Sequence, residues 1–183
     1  ADALLVQGYQ FDFYDGGGLD LCYLGLAECD GHGNINVSRF GPRIAGCGGF
    51  INITQNTHKV FFCGTFTAGG LKVKVEDGKV IIAQEGKQKK FLKDVEQITF
   101  NGDIALQNKQ EVMYITERCV FQLKEDGMHL TEIAPGIDLQ TQILDMMDFE
   151  PSVDRDANGE IKLMDAKLFA EDLMGLKEMK EGC

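Results

Sequence analysis

The spacing of apolar residues changes along the chain and divides it into a strand-rich middle and a helical end. Residues 59–66 are a continuous apolar run rich in β-formers, which predicts a buried strand. Residues 71–84 alternate between apolar and polar positions on both sides of Asp77-Gly78, which is typical of a hairpin. Further strands are predicted as pairs over 91–100 and 111–124, the second pair turning near Glu117-Arg118, and as a single strand over 128–133.

The first fifty residues also favour extended structure. Residues 1–6 resemble the end of a helix, and residues 9–15 alternate aromatic and polar side chains, as a strand does. Residues 19–40 indicate two extended pieces joined by a turn at 30–34, the first of them buried on both faces. A short helical stretch is expected within 50–59.

Helices are expected near the end of the chain. One is predicted over 138–147 with Asp138 as its N-cap, and a second, amphipathic one over 163–179. Residues 151–160 between them form a polar linker to the final helix. We therefore expect a single α/β domain over 1–183, with a mixed, strand-rich sheet and C-terminal helices.

Composition excludes several classes of protein. The 183 residues include 29 acidic and 18 basic side chains, a formal charge of −11, which argues against general nucleic-acid binding. No apolar run reaches the roughly 20 residues that span a bilayer, and no signal-peptide pattern opens the sequence. None of the six cysteines forms a C-x-x-C pair. These features predict a protein of the cytoplasm with reduced cysteines and without a membrane partner.

A glycine loop at Gly46-Cys47-Gly48-Gly49 lies between an extended segment and a predicted helix start. Such a loop adopts positive φ and lets a ligand approach its backbone N–H groups, which then stabilise an oxyanion or hold a phosphate. The alternative is a tight turn between packed elements. Four residues alone do not decide between these two interpretations.

The wider sequence resembles a known family. The run FDFYDGGGLDLCYLGLAECDGHGNINVSRFGPRIAGCGGFINITQNTHKVFFCGTFTAGGLKV is similar to the C-terminal half of family I coenzyme A-transferases, most of all their propionate and acetate–acetoacetate branch. The segments VEQITFNG, VMYITERCVFQL and TEIAPGIDLQTQIL match the same branch in the same order. The resemblance extends from about Tyr9 to Phe169.

The resemblance implies an activity and a site. Such enzymes move CoA between a short-chain acyl-CoA and a carboxylic acid through a glutamyl-CoA thioester, as in short-chain fatty acid and ketone body metabolism. The family motif matches Gly46, Gly48 and Gly49; Gly46 and Gly48 are the expected oxyanion loop, and Gly46, Cys47, Gly48 and Gly49 the expected CoA contact. The implied fold is three-layer α/β/α, with CoA as substrate and no further cofactor. The implied assembly is an oligomer.

The catalytic glutamate of the family lies in a glycine-containing motif upstream of FDFYDGGG, and residues 1–10 contain no match. No glutamate precedes Glu28, which lies in a segment that matches non-catalytic family sequence. We therefore expect an N-terminal half, or α-type CoA-transferase domain, as partner, and an isolated chain without transferase activity. The alternative is a non-catalytic module that binds a partner chain or CoA.

Three other constellations suggest different chemistry. Cys47 and His58 suggest a thiol–imidazole dyad. The alternative is that Cys47 is only a small residue in a tight loop and His58 only a surface histidine. Residues 154–165 fit a calcium-loop template except at two positions, Lys162 at position 9 and Asp165 at position 12. A solvated acidic linker is therefore favoured over a calcium-responsive module. No metal site is predicted. The basic cluster Lys87, Lys89, Lys90 and Lys93 suits either CoA phosphates or the solvated face of a strand.

Overall fold

The structure is a computed structural model that describes residues 3–170 and residue 176. Its α-helices are Gln7–Asp15 (α1), Phe50–Gln55 (α2), Gly102–Gln107 (α3) and Leu139–Gln142 (α4). Its strands are Leu21–Gly25 (β1), Glu28–Cys29 (β2), Ile35–Asn36 (β3), Arg39–Phe40 (β4), Arg43–Ile44 (β5), Lys59–Cys63 (β6), Thr67–Ala68 (β7), Lys72–Glu76 (β8), Lys79–Gln84 (β9), Gln88–Lys89 (β10), Glu111–Ile115 (β11), Cys119–Lys124 (β12), Gly127–Ile133 (β13), Ser152–Val153 (β14) and Lys162–Leu163 (β15).

A mixed sheet organises these elements. Its strand order is β1-β6-β11-β12-β13-β14, with β15 also paired to β13. Strands β1, β6 and β11 are mutually parallel, and β12 and β13 continue the sheet antiparallel. The expected mixed, strand-rich α/β fold is thus confirmed.

The core lies on the face of the sheet that α2 covers. Register places alternate residues of the parallel strands on this face, and Val60, Phe62, Val112 and Tyr114 are fully buried there. Phe50, at the start of α2, stacks on Phe62 with ring centroids 5.6 Å apart. Helix α3 lies against β11 and β12. Burying a large apolar side chain contributes about 1.5–3 kcal/mol, so this layer stabilises the sheet.

Strongly patterned segments fold as predicted. The hairpin over 71–84 is β8 and β9, and Asp77 and Gly78 at its turn have φ of 50° and 71°, as a two-residue type I′ turn requires. The strand expected over 59–66 is β6, which ends at Cys63 and is buried only at alternate residues, since Lys59 and Cys63 are exposed. The strands over 111–124 and 128–133 are β11, β12 and β13. The turn at 30–34 joins β2 to β3.

The N-terminal strand prediction was wrong. Residues 9–15, expected to be extended, belong to α1. Aromatic residues two apart also place Tyr9 and Phe13 four apart, on one face of a helix. The following glycines end the helix, because Gly17 has a φ of 82° and the N–H of Gly18 donates back to the Phe13 carbonyl at 2.9 Å. The expected helix tail over 1–6 is also absent over residues 3–6, which lie in a loop.

Strand β1 was predicted to be buried on both faces, and only one face is. Cys22 is 6% exposed on the covered face, whereas Leu21 and Tyr23 on the other face are 47% and 65% exposed. Tyr23 stacks on Phe61 of the neighbouring strand, with ring centroids 4.9 Å apart. An apolar strip of the sheet therefore faces outward.

The predicted strand pair over 91–100 is absent. Phe91 and Phe100 each make a single bridge, to Cys29 and Ile35, and the chain then enters α3. Asn101 caps this helix, since its side-chain oxygen accepts from the N–H of Ile104 at 2.9 Å. Residues 93–98 are mostly exposed, so the segment 91–100 lacks the regularly buried face that a strand pair would need.

The C-terminal helices differ from their predictions. Asp138 is an N-cap as expected, accepting from the N–H of Thr141 at 2.8 Å, but the helix breaks into α4 and a 3-10 turn at Leu144–Met146. The predicted linker at 151–160 contains β14, and Leu163 lies in β15 instead of a helix. Much of the second helix lies outside the described residues. Among residues 3–170, no helix is long and apolar enough to cross a membrane.

Candidate functional site

The candidate site lies at the carboxyl edge of the parallel strands, where ligands bind in open α/β sheets. Helix α2 runs from this edge to the opposite one. Its first residue, Phe50, packs on Phe62 near the carboxyl end of β6. At its other end, the Thr54 and Thr57 carbonyls accept from the Gln110 side chain, just before β11 begins. The glycine loop that precedes α2 therefore lies at the carboxyl edge.

A hairpin holds the glycine loop in place. Strands β4 and β5 pair with each other, and the N–H groups of Ala45 and Gly46 both donate to the Ser38 carbonyl, at 2.9 and 3.0 Å. Gly46 and Gly48 have φ of 79° and 53°, in the left-handed region that favours glycine. An ideal Cβ at either position meets nothing within 4 Å, so backbone conformation and not crowding requires glycine there.

Backbone donors remain available on this loop. Among the described residues, the N–H groups of Cys47, Gly48 and Gly49 donate to no acceptor, whereas that of Phe50 donates to the Cys47 carbonyl at 3.0 Å. N–H groups fixed by a loop and open to a ligand stabilise a carbonyl oxygen that becomes anionic. The Gly48 N–H is therefore available to a ligand, whereas the Gly46 N–H is not, and the oxyanion loop stays a prediction.

A small cavity of about 210 Å³ adjoins the loop, lined by Ser38, Ile44, Gly46, Cys47, Ile51, Gln97, Ile98 and Thr99. Ile44, Ile51 and Ile98 are 82%, 44% and 52% exposed, so their apolar surface is open on this side. The hydroxyls of Ser38 and Thr99 lie 2.8 Å apart and hydrogen bond to each other. Backbone donors beside an apolar cavity suit a ligand with a polar carbonyl and a short apolar tail.

Comparison with known proteins relates the chain to a family of enzymes. It is 56% identical over 173 residues to the acetate CoA-transferase YdiF of Escherichia coli K12, a match covering 94% of this chain and 32% of that protein. It is 54% identical over 181 residues to the caffeate CoA-transferase of Acetobacterium woodii, covering 96% of the chain and 34% of the relative.

A solved structure gives the same result. The thioester complex with CoA of the acyl-CoA transferase YdiF of E. coli O157:H7 superposes with a TM-score of 0.89 at 55% identity, over 94% of this chain and 33% of that one. Over nearly its whole length the chain is therefore similar to a part of CoA-transferases. It spans about a third of the length of these relatives. No protein-family model matches the chain.

Gly49 has a different role from Gly46 and Gly48. It is the N-cap of α2 with φ of −86°, which other residues also adopt. An ideal Cβ at Gly49 would lie 2.8 Å from the ring of Phe11 in α1. Gly49 therefore lets α1 pack closely against α2.

A buried arginine, not predicted from the sequence, stabilises the same edge. Arg118 is fully buried; its Nη1 lies 2.9 Å from Glu85 Oε2 and its Nε 2.7 Å from Glu117 Oε1. It also donates to the Gln142 carbonyl at 2.9 Å, and its guanidinium lies 4.8 Å from the centre of the Phe66 ring. Arg118 thus connects the loops after β6 and β11 to β9 and α4. The adjacent Glu-Arg of TERCVF, at the turn between two apolar strands, was the available signal.

The predicted basic cluster is divided in the structure. Lys89 pairs with Asp148 at 2.8 Å, whereas Lys90 is only 7% exposed and donates to the Thr65 carbonyl at 2.6 Å. Burial lowers the pKa of Lys90. The interpretation of this cluster as a solvated strand face was therefore wrong for Lys90. This residue directly follows β10, where the chain enters the core.

The structure does not bring Cys47 and His58 together. Cys47 precedes α2 and His58 follows it, so the helix separates them. His58 donates nothing to Cys47 among the described contacts; its carbonyl accepts from the N–H of Glu111. The thiol–imidazole dyad therefore has no geometric support.

The calcium-loop template at 154–165 has its first oxygen ligands engaged elsewhere. Asp154 pairs with Lys124 at 2.6 Å and with His129 at 2.7 Å. Asp156 accepts from the N–H groups of Asn158 and Glu160, at 2.8 and 2.9 Å. Within residues 3–170, no group of three or more candidate ligand side chains is arranged to hold a metal ion. The calcium-responsive interpretation gains no support.

Glu85→Gln should weaken the fold in a pH-dependent way. Burial raises the pKa of Glu85, but hydrogen bonds from Arg118 and Thr67 outweigh it and lower the pKa below its usual range. Its stabilising contribution is therefore complete above the ordinary pKa of about 4.3 and is lost as pH falls through the lower folded value. Urea unfolding should show a loss of about 1.5–3 kcal/mol at neutral pH, the scale of a hydrogen bond to a charged group.

The difference between the two proteins should shrink in acid, at pH values below the folded pKa. Glu125→Gln is the control, since Glu125 is exposed, and it should change little at either pH. A loss at Glu85 that stays equally large in acid would contradict this account of the buried cluster.

Proposed function

We propose that residues 1–183 are the C-terminal domain of a CoA-transferase that moves CoA between a short-chain acyl-CoA and a carboxylic acid. The observation that carries this proposal is the Gly46–Gly49 loop, in which Gly46 and Gly48 have positive φ and the N–H groups of Cys47, Gly48 and Gly49 have no acceptor among the described residues, beside a small apolar cavity at the carboxyl edge of the sheet. In this reaction CoA is a substrate, and no other cofactor is needed.

The proposed reaction has two half-reactions through a glutamyl-CoA thioester. A glutamate carboxylate attacks the acyl-CoA carbonyl and expels the CoA thiolate, leaving an acyl-glutamyl anhydride. The thiolate then attacks the glutamyl carbonyl of that anhydride and expels the free acid, which gives glutamyl-CoA. The second acid reverses both steps. Each attack creates a tetrahedral oxyanion, and each needs fixed donors within about 2.7–3.1 Å of that oxygen.

The loop supplies those donors through the free N–H groups of Cys47, Gly48 and Gly49. Of the expected oxyanion pair Gly46 and Gly48, only Gly48 has a free N–H, because the Gly46 N–H already donates to the Ser38 carbonyl at 3.0 Å; Gly46 shapes the loop through its positive φ. We assign Gly46, Cys47, Gly48 and Gly49 together to the thioester contact. Because the loop is anchored through Ser38 and ends in α2, its N–H groups need little reorganisation when charge develops. The exposed isoleucines beside it favour a short apolar acyl group. No part of this scheme gives the Cys47 thiol a chemical step.

The nucleophile comes from outside this chain. No glutamate precedes Glu28, and the Glu28 carboxylate accepts from the Asn36 side chain at 2.7 Å in the β2–β3 turn region. We assign the glutamate and much of the CoA-binding surface to an N-terminal half or α-type domain. The relatives' names support acyl-CoA substrates, acetate in one case and caffeate in the other. We further assign the assembled enzyme to the cytoplasm, as an oligomer that serves short-chain fatty acid or ketone body metabolism.

A non-catalytic module that binds a partner or CoA is the second candidate. The observation in its favour is the lack of a glutamate in the first 27 residues. Both candidates use the same loop and differ in whether bond exchange occurs once the partner half is present.

The isolated chain should show no CoA transfer between acetyl-CoA, or any other short acyl-CoA, and a carboxylate. It contributes donors and no nucleophile, so neither anhydride nor glutamyl-CoA forms. The assay follows exchange of labelled acetate into acetyl-CoA. Glutamyl-CoA on this chain alone, detected by its reduction with borohydride, would overturn the assignment of the nucleophile to another segment.

Gly48→Ala should strongly reduce turnover once the chain is fused to the part of E. coli YdiF that it lacks. The substitution keeps the N–H, but alanine at φ of 53° costs roughly 1–2 kcal/mol, so the loop shifts and the donor moves. Loss of one oxyanion donor lowers kcat by about 10²–10³ in other enzymes, and we expect about 10² here with a smaller change in KM.

Cys47→Ala is the matched control in the same loop and should leave kcat within about twofold. If Cys47→Ala abolished turnover and Gly48→Ala did not, the thiol would replace the backbone donors as the chemical group. If the fused protein had no activity with either wild-type residue in place but still bound CoA, the binding-module candidate would be preferred.

A further inference from the structure

Lys90 places its amine at the carboxyl edge of the sheet, although the residue is only 7% exposed. Its backbone is fixed, because the N–H of Cys29 donates to the Lys90 carbonyl at 2.8 Å. Its Nζ lies 3.1 Å from the position of an ideal Cβ on Gly64, which directly follows β6. The amine is therefore at the same edge as the Gly46–Gly49 loop.

One hydrogen bond holds this amine. Nζ donates to the Thr65 carbonyl at 2.6 Å, and it has no other acceptor among the described residues. Burial lowers the pKa of Lys90, against opposing effects of Glu117 and Cys29. The neutral amine is therefore more populated than in an ordinary exposed lysine. Because one N–H serves Thr65, the lone pair of the neutral nitrogen stays free, and a neutral lysine amine is a nucleophile.

The amine lines a cavity of about 610 Å³, within the range of small-molecule sites. Leu26 and Phe40 give this cavity apolar walls, and Arg43 and Lys89 add positive charge to its lining. The one acidic residue in the lining, Glu28, accepts from the Asn36 side chain at 2.7 Å. The cavity thus suits an anionic molecule that carries a short apolar group.

We propose that Lys90 is a site of self-acylation by acyl-CoA. The choice of acyl-CoA as the reagent rests on the proposed function. The lone pair of the neutral amine attacks the thioester carbonyl carbon, so that a C–N bond forms and the C–S bond breaks. CoA leaves as the thiolate, and the proton that the nitrogen loses passes through water to the sulfur. The products are an amide on Nζ and free CoA, without any oxidant or further reagent.

Three neighbouring lysines provide a contrast within the same segment. Lys87, Lys89 and Lys93 are exposed, and Lys89 pairs with Asp148 at 2.8 Å. If exposure alone governed acylation, these three residues would react before Lys90. Preference for the buried lysine is therefore the result that only the cavity explains.

An acyl group on Lys90 would alter the edge of the sheet. The amide carries no charge, so the attraction to Glu117 is lost; the Glu117 carboxylate also accepts from the N–H of Phe66 at 2.8 Å, in the loop after β6. The acyl group would occupy the cavity beside Phe40 and Arg43, which belong to the hairpin that holds the glycine loop. Self-acylation is thus placed to restrict this loop.

Peptide mass spectrometry tests the proposal in the chain fused to the part of E. coli YdiF that it lacks. The fused protein is incubated with acetyl-CoA at mildly alkaline pH and cleaved after glutamate, which places all four lysines in the peptide 86–96. Fragmentation of this peptide gives the acetylated fraction at each lysine over time. The initial rate at Lys90 should exceed that at Lys89 by at least about fivefold. A rate at Lys89 equal to or above that at Lys90 would overturn the proposal.

The same incubation in urea is the matched control. Unfolding removes the cavity and restores the ordinary lysine pKa of about 10.4, so the rates at Lys89 and Lys90 should agree within about twofold. A preference for Lys90 that persists in urea would arise from local sequence and would also contradict the proposal. The acetylated fraction is measured without turnover. Loss of acetate exchange with Lys90 still acetylated would therefore count against the proposed function alone.

Discussion

The parallel pairing of β1, β6 and β11 is the constraint on which the site depends. In-register pairing of Val60 with Cys22 and Val112 fixes three strand ends at one edge, and the buried faces of these strands hold the register. A slip by one residue would turn Phe62 and Tyr114 outward, so register is strongly determined. The loops that follow these strands, and the start of α2, consequently meet in one place.

Two kinds of interaction share that edge. In the Gly46–Gly49 loop, Gly46 and Gly48 have positive φ values that only glycine adopts readily. Among the described residues, the N–H groups of Cys47, Gly48 and Gly49 have no acceptor. Arg118 is buried in the loop after β11, at the same edge, and pairs with Glu85 and Glu117. Hydrogen bonds to charged groups contribute about 1.5–3 kcal/mol each, so this cluster resists movement of the loops that it connects.

The sequence predicted those parts whose signal is local. Asp77-Gly78 specifies a two-residue turn, the continuous run 59–66 specifies a buried strand, and the glycine loop was located by its composition. The failures depend on contacts distant in sequence. Alternating aromatics before Gly16 became a helix because α2 offers Phe11 a surface at Gly49, and the partners of Arg118 come from elements 33 residues before it and 24 residues after it. No short window of sequence contains either fact.

The similarity to CoA-transferases concerns which reaction takes place, and the loop geometry concerns which atoms carry it out. Identity of 54–56% to two CoA-transferases supports CoA transfer as the proposed reaction. The loop geometry indicates which backbone atoms would take part in it. The crystal structure of the fused protein in its glutamyl-CoA form tests the central claim most directly. The account predicts the Gly48 N–H within about 2.7–3.1 Å of the thioester carbonyl oxygen. A thioester oxygen bound by other groups, with the Gly46–Gly49 loop beyond hydrogen-bond distance, would contradict it.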